Sequence, residues 1–172
     1  MQRFSANAAL FSLGCASLLL TLTATTASAS QTVNITPSVE YSSSSGVSEA
    51  VRSECTLDTR LPKFIQDYAR KQGIEVEVGD GTEGRVLQIK FVTIIGPGGG
   101  AWSGAKSVTV EGKLTENGKV IGTFVGSRYS GGGMFGGYKG TCSILGRCIK
   151  TLGNDIAKWL VNPTMDARLG NA

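Results

Sequence analysis

Apolar and polar residues alternate most regularly between Arg85 and Ser130. Leu87, Ile89 and Phe91 are separated by Gln88 and Lys90, and Val108, Val110 and Leu114 by Thr109, Glu111 and Lys113. A period of two with one charged side describes strands that bury one face and wet the other. Asn117-Gly118, between Leu114 and Val120, has the chemistry of a two-residue hairpin turn whose central positions need positive φ. A third strand then runs from Val120 to Tyr129. The expected product is an antiparallel meander of strands 85–95, 105–115 and 119–129.

Helical spacing flanks this block. Leu61, Phe64, Ile65, Tyr68 and Ala69 form one stripe between a capping Asp58 or Thr59 and the stop at Gly73, with Pro62 in the first turn. Ile144, Leu145, Cys148, Ile149, Leu152, Ile156, Trp159 and Leu160 form another, ended by Pro163. Val47, Val51 and Cys55 suggest a shorter helical piece, and Ile74 to Val78 a short strand. Thr32 to Tyr41 alternates as a strand, although Pro37 requires an edge position or a break. Helices 59–72 and 143–161 covering one face of the meander make an α+β two-layer sandwich, followed by a loose tail over 163–172.

The first residues change the picture by assigning a compartment. Arg3, an apolar run from Ala8 to Leu22 and the small residues Ala27-Ser28-Ala29 read as a secretory signal peptide over residues 1–29. A domain over 30–162 then works in the periplasm or outside the cell, with no membrane span after cleavage. Cys15 lies inside the apolar run rather than after it, which argues against lipidation. Asn34-Ile35-Thr36 has the form of a glycosylation acceptor.

Without the signal, 143 residues remain, carrying 16 basic and 13 acidic side chains. That mild excess is scattered from Arg52 to Arg168 without a dense stripe, so nucleic acid is not an expected partner. The chain has no histidine, which removes the usual general base near neutral pH and the commonest metal ligand. No metal or cofactor is expected. Three cysteines outlast the signal, Cys55, Cys142 and Cys148, and an oxidising compartment favours one disulfide. Cys55 joined to either of the others closes a loop of nearly ninety residues; a later helix start would allow Cys142–Cys148 instead.

Strand order has a consequence for binding. Strand 85–95 and strand 119–129 both run towards the end of the sheet from which strand 105–115 departs. The glycine-rich segments 96–104 and 130–140 therefore leave at one end, near the start of the last helix, with its unpaired amides and partial positive charge. Trp102, Arg128, Tyr129, Phe135, Tyr138 and Lys139 form the candidate binding patch, since glycine-backed loops bring aromatic faces close to a partner. Packing is the competing explanation for these rings.

Catalytic motifs are incomplete. Gly99 to Ser107 approximates a phosphate loop, but Ala105 is inserted before Lys106 and a strand follows where a helix belongs. Gly131 to Gly136 matches a dinucleotide spacing in an antiparallel context. Ser103-Gly104-Ala105-Lys106 has the serine-to-lysine spacing of penicillin-binding enzymes without their helix or further motifs. Asp58, Asp67, Asp80, Glu83 and Asp155 single out no catalytic pair.

The runs Gly100-Ala101-Trp102-Ser103-Gly104, Asn117-Gly118-Lys119-Val120-Ile121-Gly122 and Gly136 to Cys148 resemble uncharacterised secreted bacterial proteins of domain-of-unknown-function type over about residues 47–162. In element order alone the chain is similar to small α/β domains of envelope accessory lipoproteins. The resemblance implies a non-catalytic accessory domain that binds an envelope protein or polymer. A small envelope hydrolase using a Ser-Lys pair or carboxylates, and a secreted inhibitor or effector, are the alternatives.

Overall fold

The computed structural model describes residues 32–96, 106–130 and 140–172. The segment read as a signal peptide, with Cys15, lies outside them. The strands are β1 (Val33–Ile35), β2 (Glu40–Tyr41), β3 (Val76–Val78), β4 (Arg85–Ile95), β5 (Lys106–Glu116), β6 (Lys119–Ser130) and β7 (Ala167–Gly170); the helices are α1 (Glu49–Cys55), α2 (Leu57–Lys71) and α3 (Thr141–Trp159). The fold is α+β.

β4, β5 and β6 form the expected antiparallel centre, joined at Asn117 (φ 49°) and Gly118 (φ 80°). The rest of the sheet is parallel and corrects the simple meander. The order β3-β1-β4-β5-β6-β7, with β2 also on β4, makes a seven-stranded mixed sheet. Parallel neighbours need long crossovers. α1 and α2 supply one on the way to β3, and α3 supplies the other between β6 and β7.

The final segment is therefore not a loose tail. β7 pairs with β6 from Phe124↔Ala167 to Ser127↔Gly170. Its approach is fixed at Thr123, whose hydroxyl accepts from the Asp166 amide at 2.8 Å and donates to the Asp166 carboxylate at 3.2 Å. Four residues are too short a run for alternation to announce.

Pro37 produces a break. Ile35 pairs with Leu87 and Glu40 with Lys90, so five steps along the β1–β2 chain accompany three along β4. Pro62 sits inside α2, not in its first turn, because the helix begins at Leu57. A helical proline leaves the carbonyl four residues earlier without its donor. Here that carbonyl belongs to Asp58 and accepts instead from the Val39 amide at 3.2 Å, tying the interrupted strand to α2.

The apolar stripes meet in one core. Leu87, Phe91, Val108, Val110 and Leu114 are fully buried on the sheet, under Leu61 and Ile65 of α2 and Leu145, Ile149, Leu152 and Ile156 of α3. α3 starts at Thr141 rather than Ser143, which places Cys142 in its first turn, bonded to Cys55 at the end of α1 across 87 residues. Glycines set the layer spacing. A Cβ at Gly153 of α3 would lie 2.8 Å from the Phe64 Cβ, and one at Gly112 of β5 would fall on the Phe124 ring.

Candidate functional site

The end of the sheet expected to carry the patch is built from three strand ends. Ile95 pairs with Ser107 and Ser107 with Tyr129, so these residues form one row across β4, β5 and β6. Alternation turns this row away from the helices. Ile95 is 47% and Tyr129 65% exposed, both high for apolar side chains beside a sheet. A row of hydroxyls follows, Thr93, Thr109 and Ser127, with Thr109 and Ser127 hydrogen-bonded at 3.0 Å.

Beneath the row, the inner face of this end is closed. Lys106 is 1% exposed, and its Nζ donates to the Gly96 carbonyl at 3.4 Å. Gly96 lies against Val51 of α1 and Thr141 and Leu145 of α3. The Cys55–Cys142 disulfide ties α1 to α3 beside the same point. Cys148 is the free thiol among the described residues, buried, with its Sγ 3.8 Å from the Lys106 carbonyl oxygen. Burial pushes that thiol upward, so it stays an unreactive neutral group.

Of the six patch residues, Arg128 and Tyr129 are described, and adjacent positions on β6 send them to opposite faces. Arg128 turns towards α3 and donates from Nε to the Asp155 carboxylate at 2.7 Å. That hydrogen bond raises its already high pKa further, so the guanidinium stays charged. Tyr129 points out on the open face. Trp102, Phe135, Tyr138 and Lys139, with Ser103 of the Ser-Lys pair, lie outside the described residues.

Two of the acids considered as catalysts have structural occupations. Asp58 accepts from the Ser38 hydroxyl at 2.8 Å, and Asp155 holds Arg128. Asp67 is exposed on α2. Among the described residues no group of three or more His, Cys, Asp or Glu side chains has a metal-holding arrangement. Asn34 is also engaged: its amide donates to the Glu83 carbonyl at 2.9 Å from the middle of β1.

The open face contains a feature absent from the sequence reading. Residues from both margins of the sheet, Thr36 and Ser38 on one side and Asp166 and Arg168 on the other, border a recess of about 950 Å³. Its floor carries a cross-strand row, Glu40–Lys90–Glu111–Val125–Arg168, assembled by strand register. Alternating charges in such a row offset one another. Periodicity marks these positions only as wet, and their sequence separation hides the row.

The chain matches no protein-family model and no curated protein by sequence. Among solved structures, it is similar to a protein described as uncharacterised, with a TM-score of 0.53 and 14% identity, covering 76% of this chain and 92% of that one. That likeness shows a shared fold. Weaker similarities include PelC from Paraburkholderia phytofirmans, solved as a dodecamer, at TM-score 0.45, 16% identity and 72% and 84% coverage. A minor lipoprotein from Acinetobacter baumannii has TM-score 0.42, 12% identity and 76% and 90% coverage. No helix among the described residues is long and apolar enough to cross a membrane.

Proposed function

We propose that this is a non-catalytic binding domain of the periplasm or extracellular space, which holds an envelope protein or polymer at the sheet end bearing its glycine-rich segments. The observation that carries the reading is the exposed Ile95–Ser107–Tyr129 row. It borders both segments, and the disulfide-tied junction of α1 and α3 stiffens the end beneath it. A rigid base lowers the ordering cost of binding. Tyr129 supplies the described part of the contact, joined by Trp102, Phe135, Tyr138 and Lys139, while Arg128 steadies β6 through Asp155.

Affinity capture from envelope extract tests this reading. Trp102→Ala with Tyr138→Ala, and separately Tyr129→Ala, should each lose a partner that the unaltered domain retains, with the melting temperature within about 2 °C of the parent because surface changes cost little. Retention by both variants would overturn the proposal. A large fall in melting temperature would assign the rings to packing instead.

A further inference from the structure

Folding collects basic residues that look scattered along the chain. α2 and α3 run parallel: a Cβ at Gly146 would meet the Arg60 guanidinium, and one at Gly153 would meet Phe64 and Ile65. Their outward surfaces expose Lys63, Arg70, Lys71, Arg147, Lys150 and Lys158. None of the six belongs to an ion pair among the described residues. On these two helices Asp155 is held by Arg128, which leaves Asp58, whose hydrogen bond to the neutral Ser38 hydroxyl offsets no charge, and Asp67 against the six cations.

Helix dipoles account for only half of this set. Arg70, Lys71 and Lys158 stand in last turns, where cations are favourable. Lys63 lies within α2, and Arg147 and Lys150 lie in the first half of α3, whose first turn contains no acid. On α3 the stripe 147–150–158 spans about 16 Å and continues one turn later into Val161, an apolar residue 58% exposed. Beyond the end of α2 the balance reverses, with Glu75 before β3, Glu77 on it, and Asp80 and Glu83 in the loop after it.

We infer that the α2–α3 surface docks the protein onto a bilayer rich in anionic phospholipid headgroups. A surface of two side-by-side helices can set its cations against a plane of phosphates, and the exposed valine at the end of the stripe adds an apolar contact. The recess on the other sheet face remains open, and the binding end proposed above lies at the edge of the docked molecule. This inference concerns a different surface and stands independently of that binding site.

The test is co-sedimentation of the secreted, processed chain with phosphatidylglycerol–phosphatidylcholine vesicles and with pure phosphatidylcholine vesicles, over a salt series. Binding is expected only to the anionic vesicles and should weaken as salt screens it. Each cation near the surface is worth about fivefold in partitioning, so Arg147→Gln, Lys150→Gln and Lys158→Gln together should reduce it about a hundredfold. A control with the same charge change, Lys90→Gln, Lys113→Gln and Arg168→Gln, should leave it within about threefold, the remaining effect being net charge alone. Equal binding to neutral vesicles, or equal losses in the two triple variants, would overturn the inference. So would capture of duplex DNA or a soluble anionic polysaccharide by the helical surface without binding to vesicles.

Discussion

Gly112 and Lys113 are neighbours on β5, yet they belong to surfaces with different physics. Gly112 faces the helices, where the Phe124 ring occupies the space a side chain would need, and that ring meets Trp159 edge-on at 4.8 Å. Lys113 faces the recess on the open side. The inner face has a shape that one methyl group disrupts. The outer face is a scaffold on which side chains exchange at little cost, and such surfaces are free to acquire binding roles.

The largest effect expected on the helical side comes from its covalent tie. Cys55→Ser with Cys142→Ser should destabilise the domain by about 4 kcal/mol in the chain-entropy account of a long closed loop, read from denaturant unfolding. A loss below about 1 kcal/mol would mean that packing alone holds α1 against α3. Cys148 provides the matching control. Its raised thiol should resist alkylation in the folded protein at pH 8 and react once denaturant is added, because thiolate is the reactive form and burial disfavours it.

Gly112→Ala comes next. The added methyl must displace the Phe124 ring, which should cost about 2 kcal/mol as overpacking, whereas Lys113→Ala should stay within about 0.5 kcal/mol. Equal losses at these neighbours would remove the distinction between the faces. Arg128→Gln should cost about 1.5 kcal/mol by taking the charged partner from Asp155, a carboxylate with side-chain exposure of 14%. If Asp155→Asn added as much again in the double variant, the two groups would be independent and the pair would not be a unit.

The central fold was legible because its signals are local and strong. Every apolar position read onto the last helix is buried, and Asn117-Gly118 forms the turn its residue types require. The segments 32–41 and 74–78 were legible as short strands, but β7 and the parallel pairing of the margins were not. β1, β2, β3 and β7 are two to four residues long, and their pairing depends on crossovers that alternation does not describe. Pro62 shows the same limit: its place inside α2 is stabilised by Val39, nineteen residues before the carbonyl that it serves. At the candidate site, strand order correctly gave Ile95, Lys106 and Ser130 a common end, as their pairing records. Proximity on β6 was a poorer guide. Arg128 and Tyr129 are adjacent in sequence and separated by the sheet, whereas the exposed cations of α2 and those of α3 are distant in sequence and stand on neighbouring helices.

Thr109→Val should produce the smallest change and provides the sharpest test of the open face. Its hydroxyl shares a hydrogen bond with Ser127 in the middle of the hydroxyl row. On a wetted surface Ser127 recovers that bond from water, and valine suits a strand at least as well as threonine does. Unfolding free energy should therefore move by less than about 0.5 kcal/mol. A loss above about 1 kcal/mol would show that Ser127 is left without a partner, as happens where water is excluded. The open face would then be covered in solution, and the freedom attributed to it here would belong to an interface.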